Sequence, residues 1–158
     1  MKKQRIAIFA SGNGSNAVRL VIIDNEQAKS GEVLVKLMES NNIDFIVLGG
    51  YLRKIPSALI ASFEDRIINI HPALLPKYGG KGMYGIHVHE AVKEAKEEKT
   101  GVTIHLVNQN YDEGRILAQH ETVLSLSDEA LDIQRKVQQL EHEWFPIEVE
   151  KYIMEIKI

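Results

Sequence analysis

Apolar residues in this chain fall into short unbroken runs separated by polar or helix-spaced stretches, the pattern of strands and helices taking turns. Arg5-Ile6-Ala7-Ile8-Phe9-Ala10 is the first run, and its lack of alternation predicts a strand buried on both faces. Val18 to Ile22 predicts another strand, while Ile23 to Ser30 is polar and weakly patterned. From Gly31 the spacing turns helical, with Val33, Leu34, Leu37 and Met38 on one face and Asn41-Asn42 as the stop. Ile43 to Gly50 is the clearest buried strand, and its two closing glycines permit close backbone approach. Pro56 suits the first turn of a short helix through Phe63, and Arg66 to His71 is a further strand, stopped by Pro72. His87 to Glu98 predicts an amphipathic helix with Val88, Ala91, Val92 and Ala95 inward, ended by Thr100-Gly101. Val102 to Val107 and Ile116 to Leu124 read as strands. Ser127 is the predicted cap of a last helix, with Asp128 and Glu129 in its first turn, and Pro146 predicts a kink or restart before Ile147 to Ile158. No repeat, linker or low-complexity tract interrupts the series, so the chain reads as one α/β domain over residues 1–158.

Composition narrows the class. A length of 158 residues, 44% hydrophobic and 26% charged, fits one ordinary globular domain and not a disordered chain. The net charge of -3 offers no basic field for nucleic acid, although a local nest of backbone amides can still take a phosphate. With no cysteine, disulfides, thiol catalysis and thiolate metal sites are excluded. The apolar run Ile6 to Ala10 is too short for a signal-peptide core or a membrane span, and a cytoplasmic protein is predicted.

Chemistry concentrates on Ile67-Ile68-Asn69-Ile70-His71-Pro72. Residues two apart on a strand share a face, so Asn69 and His71 emerge together at the strand's last positions. In open α/β sheets ligands bind beyond the carboxyl ends of the strands. An amide that donates to oxygen beside an imidazole that holds a proton suits the activation of a carbonyl group. Asp112 follows another strand end, and a carboxylate there favours the imidazolium form of His71; Asp112-Glu113-Gly114 equally suits a plain turn. Ser11-Gly12-Asn13-Gly14-Ser15-Asn16 reads either as a phosphate cradle or, through Asn13-Gly14, as a two-residue hairpin turn. The cradle reading lacks the helix that normally follows it, since only Ser11 to Ala17 separate two apolar runs. The loop Pro72 to Gly85 carries Lys77, Tyr78, Lys81 and Tyr84, and Gly79 to Met83 is its candidate flap. His105, His120 and His142 take a structural reading by default, and a zinc site from His87 and His89 is disfavoured because an i, i+2 pair diverges around a helix.

Three motifs in order carry a family resemblance: the 11–16 loop, Asn69-Ile70-His71-Pro72-Ala73-Leu74-Leu75-Pro76-Lys77, and Tyr111-Asp112-Glu113-Gly114. Gly50-Tyr51-Leu52-Arg53 and Leu140-Glu141-His142 followed by Pro146 support them. Together they resemble the folate-dependent formyltransferases, and within that group the phosphoribosylglycinamide formyltransferase family. The resemblance implies a Rossmann-like, mainly parallel sheet flanked by helices, with 10-formyltetrahydrofolate as formyl donor and no metal. Asn69, His71 and Asp112 would be catalytic. Gly14, Ser15 and Asn16 would hold the substrate phosphate, and Glu141 its glycinamide and ribose end. Leu52, Arg53, Lys54, Ile55, Asn69, Val107 and Asn108 would bind folate. The implied partners are small molecules, without nucleic acid or membrane, and no oligomeric state is implied.

Members of that family are longer between the phosphate loop and the Gly31 helix. The resemblance therefore implies a missing segment, with breaks near Ala17–Val18 and between Ile22 and about Glu26. Two rivals stand beside formyl transfer to the glycinamide nucleotide. One is a sister folate formyltransferase or a formyltetrahydrofolate hydrolase. The other is an inactive nucleotide- or folate-binding module, which a truly shortened loop region would favour.

Overall fold

Phe45, Ile46, Val47 and Leu48 are all buried, as an apolar run without alternation requires when both of its faces are covered. The protein is described by a computed structural model covering residues 4–10 and 28–156. The 11–16 loop, the predicted strand Val18 to Ile22 and both expected breaks lie outside these residues.

The described elements are β1 (Ile6–Ala10), α1 (Gly31–Ser40), β2 (Phe45–Gly49), α2 (Ser57–Ser62), β3 (Ile67–His71), α3 (Ile86–Glu94), β4 (Lys99–Leu106), β5 (Ile116–Val123) and α4 (Ala130–Glu155). The strands form a mixed, mostly parallel sheet in the order β1-β2-β3-β4-β5, the α/β architecture anticipated from the pattern. Residue contacts divide the chain inside β3 into two compact units, 1–68 and 69–158.

In the first unit β1 pairs in parallel with β2, Ile6 opposite Phe45 through Ala10 opposite Gly49. The expectation that β1 is buried on both faces fails. Ile6 and Ile8 are 43% and 68% exposed, whereas Phe9 turns inward and meets Tyr51 edge-on at 5.5 Å. The reason is position: β1 ends the strand order, with β2 as its only described neighbour. α1 forms as its spacing predicts, with the Ser30 hydroxyl accepting from Val33 N at its start and the Asn41 amide donating to Leu37 O at its end. It buries Leu34 and Met38 and packs on α2, but Val33 faces outward.

In the second unit β4 and β5 are antiparallel, and α4 packs on both strands and on α3. Val92, Val102, Ile133 and Val137 make one apolar cluster, with Ile70 and Tyr78 laid against it. Each such side chain contributes about 1.5–3 kcal/mol when fully buried. Three boundaries differ from the sequence reading. Thr100-Gly101 lies within β4 instead of ending a helix, and Gly101 lies so close to its partner strand that a Cβ would stand 2.0 Å from His120 O. Helix α4 starts after Glu129 and not at Ser127: Glu129 and Asp132 cap each other's backbone reciprocally, while the Ser127 hydroxyl is bound to Ser125. Pro146 does not interrupt α4, because Val149, Tyr152 and Ile153 beyond it are buried and hold the helix on course.

Gly101→Ala is expected to destabilise the protein by about 3 kcal/mol, since the added methyl meets backbone and not a movable side chain. Gly49→Ala, where a Cβ meets nothing within 4 Å, is expected to cost less than about 1 kcal/mol. Urea unfolding midpoints of the two variants give the comparison.

Candidate active site

β3 alternates as its sequence requires: Ile70 turns to the apolar cluster, and Asn69 and His71 turn the other way. His71 is 4% exposed, so its ring nitrogens must find partners within the protein. Nε2 donates to the Tyr78 carbonyl at 2.7 Å, and Nδ1 lies 3.6 Å from Asp112 Oδ2. The same carboxylate oxygen accepts from Gly80 N at 2.8 Å. Asp112 itself stands in left-handed backbone, φ 56°, on the turn between β4 and β5. That turn is closed by Gly114, where a Cβ would fall 1.7 Å from Leu106 O. The two readings of Asp112, turn residue and partner of the imidazole, are therefore both met by one residue.

His105 was read as structural from sequence, yet it joins this cluster. It is 2% exposed; its Nδ1 donates to Leu106 O at 2.8 Å and its Nε2 faces the Asn69 side-chain nitrogen at 3.1 Å. A carbonyl can only accept, so the ring hydrogen sits on Nδ1, and the bare Nε2 accepts from the Asn69 amide. Burial lowers the His105 pKa, against smaller opposing effects of the Leu106 hydrogen bond and the Asp112 charge, and keeps the ring neutral. Asp112 Oδ1 lies 3.7 Å from His105 Nε2, so one carboxylate borders both rings. Two residues before His105 on β4, Thr103 is equally committed, though nothing in the sequence marks either partner. Its hydroxyl accepts from Leu75 N at 2.9 Å and donates to Ala73 O at 2.7 Å, tying the segment after Pro72 to β4.

His89 on α3 is also buried, with no partner for Nδ1 among the described residues. Its pKa is lowered by burial first and by the charge of His71 second. His87 is exposed and pairs with Glu90 at 3.1 Å, so the two helix histidines do diverge. No cluster of three metal-ligating side chains occurs among the described residues. His120 keeps the structural role read for it, stacked on Trp144 at 4.1 Å and 3.2 Å from Glu148.

The other expected site residues are placed as follows. Arg53, Lys54 and Ile55 border a cavity of about 630 Å³ in the first unit, and Leu52 is exposed. Val107 and Asn108 follow the end of β4, and the Asn108 side chain accepts from Asn110 N at 2.9 Å. Glu141 is half-buried on α4, and burial raises its carboxyl pKa against the lowering effect of His142. Gly14, Ser15 and Asn16 lie outside the described residues.

Titratable groups at the strand ends of a mostly parallel α/β sheet stand where open α/β folds bind small ligands. The chain belongs to the formyl transferase family, whose family model matches residues 24–149. It is 46% identical over 125 residues to the chloroplastic phosphoribosylglycinamide formyltransferase of Arabidopsis thaliana, covering 79% of this chain and 42% of that protein. It is 28% identical to phosphoribosylglycinamide formyltransferase of Bacillus subtilis (strain 168), covering 90% of this chain and 91% of the relative. That alignment runs 183 positions, more than the 158 residues present, so the relative carries residues without counterpart here. The crystal structure of the Bacillus halodurans phosphoribosylglycinamide formyltransferase superposes with a TM-score of 0.83 at 29% identity, covering 98% of this chain and 97% of that one. The chain spans about two fifths of the length of the plant relatives it matches.

His89 and His105 fold with pKa values below the ordinary 6.5, so the unfolded chain binds more protons than the fold as pH drops past that value. Stability from these two residues is full above pH 6.5 and is lost as pH falls from there toward their folded values. The urea midpoint is expected to fall between pH 7.5 and pH 5.5, and to fall less in His89→Leu, as checked by fluorescence-monitored unfolding at both pH values.

Proposed function

We propose that the chain transfers a formyl group from 10-formyltetrahydrofolate to the amine of 5'-phosphoribosylglycinamide, acting as one formyltransferase domain. The observation that carries this reading is the cluster of Asn69, His71, His105 and Asp112, an amide and imidazoles bordered by one carboxylate. Formyl transfer needs donors for an oxyanion on the formyl carbon and an acid for the departing nitrogen. Asn69 has the first kind of group: one amide hydrogen goes to His105 and the second is left for the oxygen. His71 supplies the proton, and Asp112 balances the charge of its ring. The folate co-substrate brings the activated formyl group, and the family's formyl chemistry supports a folate-derived donor.

The remaining roles belong to the same proposal. Leu52, Arg53, Lys54, Ile55, Asn69, Val107 and Asn108 are the folate-binding residues of this reading. Glu141 receives the glycinamide end, its half-buried carboxyl suited to an amine. Gly14, Ser15 and Asn16 hold the phosphate. The single match over 24–149 supports one domain, because it runs through both contact units. A cytoplasmic location is part of the proposal as well; the described residues contain no helix long and apolar enough to cross a membrane, and the plant relatives are named chloroplastic.

Turnover is measured with both substrates, following the deformylated folate by absorbance. Wild type is expected to be active, with Asn69→Ala slower by about 10²–10³ in kcat and His71→Ala by about 10²–10⁴. Asp112→Asn is expected to lose activity in the same direction. Formate release that ignores the nucleotide would replace transfer by hydrolysis. Inertness of wild type and all variants alike, with folate still bound, would leave a binding module instead.

A further inference from the structure

Tyr78 occupies left-handed backbone, φ 56°, which a non-glycine residue holds only under restraint from its surroundings. Two restraints are present. Its phenol donates to Glu97 Oε1 at 2.8 Å, where Lys77 Nζ also donates at 2.7 Å, and its ring rests on the Val92, Val102, Ile133 and Val137 cluster. Burial, then the Glu97 hydrogen bond and charge, push the phenol pKa up to about 12, so it remains a donor. At the other end of the residue, the carbonyl oxygen stands 2.7 Å from His71 Nε2. Because a carbonyl can only accept, Nε2 carries a hydrogen whether the ring is neutral or charged. The next two residues complete the hold. Gly79 closes on Asp112, whose Cβ would be 3.2 Å from an added methyl, and Gly80 N donates to the Asp112 carboxylate.

Residues 78–80 thus form a backbone bracket that grips both His71 and Asp112. We propose that Tyr78, anchored by Glu97, is a positioning residue that locks hydrogen on Nε2 of His71 and so assigns the transferred proton to Nδ1, the nitrogen that faces Asp112. This rests on the formyl-transfer reading above. The protons balance at that one atom. The attacking amine sheds one proton as its bond to the formyl carbon forms, and the folate nitrogen gains one as its bond breaks. Nδ1 gives the second and recovers the first, while Nε2 stays bonded to hydrogen throughout and Asp112 remains a carboxylate.

The test uses the full chain labelled with nitrogen-15, reading two-bond proton–nitrogen correlations of the neutral imidazoles at alkaline pH. His71 is assigned by its absence from the spectrum of His71→Gln. Wild type is expected to show Nε2–H only. In Tyr78→Phe and Glu97→Ala the Nδ1–H form should appear beside it. There kcat should fall about tenfold with both KM values within about twofold, part of what a general acid contributes. Glu97→Gln, whose amide oxygen still accepts from the phenol, should keep the wild-type tautomer and most of the rate. A wild-type His71 with hydrogen on Nδ1 overturns the proposal and needs no variant to be seen. So does a Tyr78→Phe or Glu97→Ala protein that keeps the wild-type tautomer or the wild-type kcat. A wild type with the Nε2–H tautomer but no turnover sinks the formyl-transfer reading instead, leaving the hold on the tautomer standing.

Discussion

An imidazole with almost no exposed surface takes its hydrogen bonds from the protein around it, and His71 is 4% exposed. A backbone carbonyl accepts from its Nε2 and a carboxylate stands 3.6 Å from its Nδ1, brought in by segments that precede and follow β4. Much of the second unit follows from that requirement. The segment after Pro72 is tied to β4 by Thr103, which lets Tyr78 present its carbonyl. The turn after β4 is kept tight by Gly114, which brings Asp112 back beside β3. Ile70, between the two polar residues, fixes which face of β3 they occupy by burying itself in the opposite direction.

How far the sequence could be read depended on where each interaction lies. β2 and α1 were legible because burial and helical spacing are local patterns, and the Ser30 and Asn41 caps sit where the spacing places them. Asn69 and His71 were legible because period-two alternation puts them on one face. His105 was not, since nothing in Thr103-Ile104-His105 says that an amide from β3 lies across from it. Tyr78 reads from sequence only as a polar, aromatic loop residue, and the atom that meets His71 is its carbonyl, which no side-chain motif encodes. The misplaced cap of α4 has the same origin. Ser127 has the better local propensity, but the reciprocal Glu129–Asp132 pair satisfies two backbone donors at once. Pro146 shows tertiary burial outweighing a strong local signal.

The resemblance and the family match meet at the level of formyl transferase chemistry, where the strand-end motif, the sheet and the solved relatives agree. Exposure of Ile6 and Ile8 marks β1 as the open edge of the described strand order, and the 183-position alignment shows that the Bacillus subtilis relative carries residues without counterpart here. The second unit contains Asn69, His71, His105 and Asp112 together, so its chemistry can be described from within residues 69–158.

The hydrogen bonds running from Asn69 through His105 to the Leu106 carbonyl all point one way, because the chain ends on an atom that can only accept. Such a chain has a polarity, much as a row of dominoes has a direction of fall. Reversing it would leave the carbonyl of Leu106 facing a bare nitrogen inside a buried pocket. The direction in which the Asn69 amide points is therefore set by a carbonyl in the next strand, and not by anything Asn69 itself would bind.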